Sequence, residues 1–229
     1  MIMLIKKGNN YIYLDDEEKL RLYENIENKN YKIVKVLKDD QRSYVALIEI
    51  EKNRYIYKEP REKNRRKWQR FLSIFRGSES KREFENLKKI SKLGFKSAIP
   101  YLAVEKKKGL ICVDSYLILS FIDGKDGKVE DIDLISKELK KIHSKGYLHG
   151  DSHVANFMIK ENDVYLIDTK FLYNIFGKFG ESFEFIYLEE SCYKPISYDK
   201  SSFYYKGAML LKKYLLWLGE LKKKLRGKK

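Results

Sequence analysis

The 229 residues carry 48 Lys and Arg against 33 Asp and Glu, a net charge of +15 that favours anionic partners: acidic lipid, phosphorylated sugar, nucleotide or nucleic acid. A 43% hydrophobic content with three prolines excludes a disordered chain, and two cysteines, Cys112 and Cys192, exclude a disulfide framework and point to a reducing compartment. The apolar run Met1 to Ile5 is too short for a signal-peptide core, and no run approaches the ~20 apolar residues of a membrane span, so the expectation is a cytoplasmic protein, with peripheral contact at the inner face of the cytoplasmic membrane left open.

The first sixty residues read mainly as strands. Asn10 to Leu14 is short and aromatic, Tyr31 to Leu37 alternates, and Tyr44 to Ile50 is largely apolar. The turn residues Asp39 to Arg42 make the last two a hairpin, and Arg54 to Lys58 is a further strand stopped by Pro60. Asp15 to Glu27 has a helical pattern through Leu20, Tyr23 and Ile26. Arg61 to Phe75 predicts one amphipathic helix with a cationic face, with Trp68, Phe71, Leu72 and Phe75 at helical spacing. Glu79 to Leu93 is a second helix, stopped by Gly94, with Phe84, Leu87 and Ile90 inward.

Strands follow over Ile99 to Glu105 and Leu110 to Phe121, joined by a Lys-rich turn. The glycine-bearing connector Asp123 to Gly127 marks a boundary between lobes 1–122 and 123–229. Ile132 to Ser144 is a helix that delivers the chain to Tyr147 to Phe157. Val164 to Asp168 is a short apolar strand ending in a carboxylate. The segment after Asp168 is aromatic with few clear signals, and Lys206 to Leu225 is a helix with Leu210, Tyr214, Trp217, Leu221 and Leu225 apolar, running into a basic tail from Lys222.

The order is that of an α+β, bilobal protein-kinase-like fold: a small N-terminal antiparallel-sheet lobe, then a mainly helical lobe. The chemistry concentrates in His149-Gly150-Asp151 with Asn156 five positions on, and in Asp168. Phosphoryl transfer needs a carboxylate to orient the attacking hydroxyl and oxygen ligands for Mg²⁺ on the nucleotide phosphates, and the Asp-to-Asn spacing matches the kinase pattern. A cation for the phosphates is also needed. Lys58, closing the strand Tyr55-Ile56-Tyr57, is the candidate, with Glu83 its best helix carboxylate and Glu79 and Glu85 as alternatives. The Leu37 to Tyr44 turn has no glycine, though its backbone amides remain available to cradle phosphate. His143, His149 and His153 fall in one span, but Gly150 argues against the helix that would align a zinc site. His149 is expected to brace the loop and His143 to pack at its helix end.

Lys58-Glu59-Pro60-Arg61-Glu62-Lys63-Asn64-Arg65-Arg66, Ser78-Glu79-Ser80-Lys81-Arg82, Asp114 to Ile118 and His149-Gly150-Asp151…Asn156-Phe157 resemble the bacterial lipopolysaccharide core heptose(II) kinase family, over roughly residues 30–175. The resemblance implies transfer of the ATP γ-phosphate to a heptose hydroxyl of the lipopolysaccharide inner core. It implies Asp151 as base or hydroxyl-orienting group, Asn156 and Asp168 as Mg²⁺ ligands, and Lys58 at the ATP phosphates with Glu83 holding it. The acceptor would be an anionic glycolipid, which the Arg61 to Arg70 stretch and the basic C-terminal helix suit. The alternatives are an aminoglycoside- or choline-type phosphotransferase, whose cationic acceptor needs an acidic cleft such as Glu181, Glu184, Glu189 and Glu190 could build, or a nucleotide-binding pseudokinase. No RNP-type aromatic strand pattern is evident, so nucleic acid is not an expected partner.

Overall fold

The computed structural model describes residues 2–225. Met1 and the end of the basic tail lie outside them, as do the side chains of Lys223 and Leu225. The chain divides into two compact units between Asp123 and Gly124.

The first unit is built on a seven-stranded antiparallel sheet. Its strands are β1 (Met3–Lys7), β2 (Asn10–Leu14), β3 (Lys32–Asp39), β4 (Tyr44–Ile50) and β5 (Asn53–Glu59), followed after the two-residue β6 (Lys96–Ser97) by β7 (Pro100–Lys108) and β8 (Ile111–Ser120). The order across the sheet is β1-β2-β7-β8-β5-β4-β3. β1 was not anticipated, because Met3 to Lys7 carries only half an alternating pattern. Its pairing with β2, Met3 opposite Leu14 and Lys7 opposite Asn10, closes a two-residue turn at Gly8-Asn9 with Gly8 at φ +58°, as a tight hairpin requires.

Period-2 alternation sorts the sheet residues onto two faces. Ile12, Leu14, Ile48, Leu102, Val104, Tyr116 and Ile118 form one buried cluster with Tyr23 and Ile26 of α1 (Leu20–Glu27). Residues one step out of phase, among them Tyr13, Glu105 and Ser115, face the other way, where α4 (Glu79–Lys92) packs on β7 and β8 and buries Phe84, Leu87 and Ile90. Glu105, fully buried, fixes the start of α4: its carboxylate accepts from the Ser78 N–H (2.5 Å) and the Tyr13 hydroxyl (3.0 Å) and pairs with Lys107. A carboxylate at a helix N-terminus is favoured by the unpaired N–H groups there.

The single helix expected over Arg61 to Phe75 is two. α2 (Arg61–Arg65) and α3 (Lys67–Arg76) meet at Arg66, whose backbone is extended. Three of the six cations between Arg61 and Arg70 are ion-paired: Arg61 with Asp39, Lys63 with Glu79 and Arg66 with Glu62. Arg70 donates instead to the carbonyls of Asn64 and Val113.

In the second unit, β9 (Lys125–Asp126), β11 (Phe157–Lys160) and β12 (Asp163–Leu166) pair antiparallel, and β10 (Tyr147–Leu148) pairs with β13 (Leu172–Tyr173). α5 (Ile132–Ser144) buries Ile135, Leu139 and Ile142, as its spacing predicts. α6 (Lys178–Cys192) fills the segment that sequence left undefined and packs on α7 (Phe203–Leu225). α6 escapes notice because its apolar residues lie all round it, the mark of a helix buried on most sides rather than on one stripe. On α7 the apolar stripe Leu210, Tyr214, Trp217 and Leu221 is exposed, whereas Ala208 and Lys212 are buried, Lys212 paired with Glu190. Among the described residues no helix is long and apolar enough to cross a membrane.

α4 orients Glu83 only while its inner face stays packed. Phe84 is fully buried, so Phe84→Ala is expected to cost about 3–5 kcal/mol, read as a lowered urea midpoint at unchanged slope.

Candidate active site

The second unit gathers three of the sequence-predicted residues onto one frame. β10 leads into His149, Gly150 and Asp151. Gly150 has φ +83°, and a Cβ there would meet the Lys170 Cβ at 2.8 Å, so only glycine lets the loop pass the segment after Asp168. The His149 carbonyl accepts from the Lys170 N–H (3.0 Å), the Phe171 N–H (3.1 Å) and the Thr169 hydroxyl (2.6 Å), which ties the two segments together.

Beneath the loop lies Glu184 of α6, buried. Its carboxylate accepts from the backbone N–H of His149 (2.9 Å) and of Gly150 (2.5 Å), and it contacts His143 Nε2 at 3.0 Å. The Glu184 carbonyl accepts from the Ser152 hydroxyl at 2.8 Å. Sequence reasoning missed this role and placed Glu184 among carboxylates for an acceptor cleft. The available signal was a lone Glu inside an otherwise apolar stretch, Phe183-Glu184-Phe185-Ile186, since a buried charge needs several hydrogen bonds.

Asp151 itself is exposed and lines an open groove of about 550 Å³ with an aromatic and aliphatic wall that includes Leu172, Phe176, Phe179, Phe183 and Leu215. Asn156 ends a single 3₁₀ turn, and its Nδ2 donates to the Asp151 carbonyl at 2.9 Å, which leaves the amide oxygen as the atom available to a cation. The Asn156 carbonyl accepts from the Ile167 N–H at 3.0 Å, so Asn156 is held beside the residue preceding Asp168. Asp168, two residues past the end of β12, has φ +50°, a left-handed conformation that Asp tolerates better than most residues. An amide oxygen and a carboxylate are hard donors of the kind Mg²⁺ takes.

In the first unit Lys58 Nζ lies 2.8 Å from Glu83 Oε1, with both side chains mostly buried. Of the two alternatives, Glu79 pairs with Lys63 and Arg82, and Glu85 with Lys81. The glycine-free turn between β3 and β4 is closed by its own carboxylate: Asp40 accepts from the Arg42 N–H (2.8 Å) and the Ser43 N–H (2.7 Å). These hydrogen bonds hold Asp40 below the usual carboxylate range. Those two amides, expected to be free to cradle phosphate, are therefore occupied.

The histidines are structural. His143 packs edge-on against Phe185, and His149 lies over Phe157 with ring centroids 4.6 Å apart. His153 Nδ1 accepts from the Ala155 N–H, capping the 3₁₀ turn. Among the described residues no cluster of three or more His, Cys, Asp and Glu could hold a metal ion. Burial pushes the His149 imidazole down to about 4.

A family model described as lipopolysaccharide core biosynthesis protein (WaaY) matches residues 1–172. Lipopolysaccharide core heptose(II) kinase WaaY of Escherichia coli K12 is 30% identical over 146 residues, 61% of this chain. The match spans 63% of that relative's own length. A second Escherichia coli protein of the same name is 26% identical over 174 residues, 71% of this chain and 74% of its own. Among solved structures, WaaP in complex with acyl carrier protein has a TM-score of 0.54 at 10% identity, covering 94% of this chain and 98% of that one. That likeness is one of fold, the protein-kinase-like α+β fold.

Two outcomes test this geometry. Glu184→Gln sets an amide donor against backbone N–H donors, and kcat of the reaction assigned below should fall by at least roughly tenfold with the KM for ATP unchanged, since the loop and not the nucleotide loses its support. His149 is neutral when folded, and its folded value lies below the unfolded value of 6.5. Its contribution is therefore present above about pH 6.5 and lost as pH falls through about 4, roughly 3 kcal/mol in all. Denaturation across that window should show a slope that His149→Asn flattens.

Proposed function

The chain belongs to the WaaY lipopolysaccharide core biosynthesis family, and from that membership we propose that it is an ATP- and Mg²⁺-dependent kinase transferring the γ-phosphate to a heptose hydroxyl of the lipopolysaccharide inner core. The observation that carries the reading is the frame joining Asp151, Asn156 and Asp168. Asn156 bonds to the Asp151 carbonyl through its side chain and to Ile167 through its backbone.

Asp151 is the group that receives the acceptor hydroxyl. Exposed on the groove wall, it takes a hydrogen bond from that hydroxyl, aims its oxygen at the phosphorus and accepts its proton as the new O–P bond forms and the bond from phosphorus to the departing ADP breaks. Asn156, through its amide oxygen, and Asp168 are the donors that fit Mg²⁺, which when bound neutralises charge on the transferring phosphoryl group. Lys58, oriented by Glu83, is the cation that fits the nucleotide phosphates. With the turn amides of Arg42 and Ser43 already engaged by Asp40, phosphate binding leans on Lys58 more than on a backbone cradle.

The acidic cleft that an aminoglycoside acceptor would need finds no support. Of its four carboxylates, Glu184 is buried beneath the loop, Glu189 bonds to Tyr198 and Lys200, and Glu190 pairs with Lys212, which leaves Glu181 alone, too little charge to build a cationic acceptor's cleft. An inner-core acceptor is anionic and lipid-anchored, which suits the net charge of +15 and brings the chain to the cytoplasmic face of the inner membrane.

The test is Mg²⁺-dependent transfer of labelled γ-phosphate from ATP to heptose-containing lipopolysaccharide, with a kanamycin-type aminoglycoside alongside. Label is expected in the lipopolysaccharide, and Asp151→Asn should lower the rate roughly 10²–10⁴-fold with ATP binding retained. Label in the aminoglycoside alone would replace the acceptor assignment, and ATP binding without transfer to either would favour a pseudokinase.

A further inference from the structure

α3 is docked with its polar side in. Ser73 is buried; its hydroxyl donates to the Arg70 carbonyl and accepts from the Cys112 N–H of β8. Arg70 reaches over the same strand to the Val113 carbonyl. The aromatic residues of its apolar face are turned outward, Trp68, Phe71 and Phe75 being 65%, 48% and 77% exposed, while Leu72 and Ile74 are half-buried. The three rings touch in sequence, Trp68 stacked on Phe71 and Phe71 edge-on to Phe75, so they form one continuous ridge. Exposed Lys67 and Arg76 stand on the same helix, Arg76 donating to Gln69, exposed Arg65 ends α2 two residues before it, and α3 contains no Asp or Glu.

We propose that α3 is a membrane-docking helix: Trp68, Phe71 and Phe75 enter the headgroup layer of an anionic bilayer, and Arg65, Lys67 and Arg76 meet the lipid phosphates. This deepens the reading of a lipid-anchored acceptor and rests on it in taking the acceptor's bilayer as the surface. Aromatic rings with a cationic flank are the composition of an interfacial helix. A second copy of the chain is the poorer occupant on two grounds. Facing two such ridges would set Arg65, Lys67 and Arg76 of each copy against like charges. The ridge also offers roughly 400 Å² of aromatic surface, about half of what each partner of a stable dimer buries.

The experiment uses the full chain and two sets of vesicles, phosphatidylglycerol in excess phosphatidylethanolamine, and phosphatidylcholine alone. Cosedimentation is expected with the anionic vesicles and weakly with the neutral ones. The triple variant Trp68→Ser, Phe71→Ser, Phe75→Ser should lose binding to anionic vesicles by roughly a hundredfold, and Arg65→Glu with Lys67→Glu by roughly tenfold or more. In a Trp217→Phe background, Trp68 emission should shift to the blue when anionic vesicles are added. An unchanged urea midpoint for the triple variant shows that the fold is intact, as expected for exposed side chains.

Wild-type chain that ignores anionic vesicles, or a triple variant that binds them as wild type does, would overturn the assignment. So would a concentration-dependent dimer lost in the triple variant, since the ridge would then join two copies. Transfer to a deacylated, soluble core oligosaccharide separates the two readings. Transfer retained without vesicle binding removes only the membrane helix; vesicle binding without transfer removes only the kinase.

Discussion

One buried carboxylate organises the second unit. Glu184 sits under the loop that carries Asp151, where each of its hydrogen bonds is made in low dielectric and a lost one leaves a charge unpaired. That asymmetry makes it a positioning device, since the loop cannot shift without stranding the carboxylate. α6 exists to deliver it, and the apolar residues around the helix close off water. The His149 carbonyl, taken by three donors from the segment after Asp168, couples the same loop to the other half of the site. Asp151 is left exposed at the rim of this framework, on the wall of the groove.

The first unit uses the same device. Glu105, fully buried, anchors the N-terminus of α4 to β7, and the packed face of Phe84, Leu87 and Ile90 sets the rotation of the helix. Glu83 then stands on the side that meets Lys58 of β5. The Lys58–Glu83 contact is thus the outcome of a buried carboxylate and a core stripe rather than of any strong attraction between the two charges themselves. α3 reverses the usual economy of burial: it holds Arg70 and Ser73 against β8 and leaves three rings exposed, a contiguous apolar patch of the kind that marks an interaction surface.

How far the sequence could be read followed the physics of each signal. The β2 and β4 spans were legible because short aromatic or apolar runs bounded by turn residues mark strands, and the α5 limits because helical spacing reports a half-buried helix directly. The helix before Trp68 was misjudged as continuous, because nothing local in Arg65-Arg66-Lys67 announces the extended residue that separates α2 from α3. α6 was invisible because burial on most sides blurs the periodicity of one apolar stripe. The turn at Asp40 was read for its missing glycine, while the decisive fact is that its carboxylate consumes the amides, a side-chain-to-backbone bond that spacing does not reveal.

By itself the sequence determined which groups are the candidates for the chemistry. The Asp151 to Asn156 spacing, the apolar strand ending in Asp168 and the strand closing on Lys58 are local patterns, and local patterns survive in one dimension. Only the tertiary structure decided among Glu79, Glu83 and Glu85, gave Glu184 its place under the loop and turned Trp68, Phe71 and Phe75 outward. Each of these depends on which distant surface an element packs against, and that is settled by the whole core rather than by the residues of the element alone.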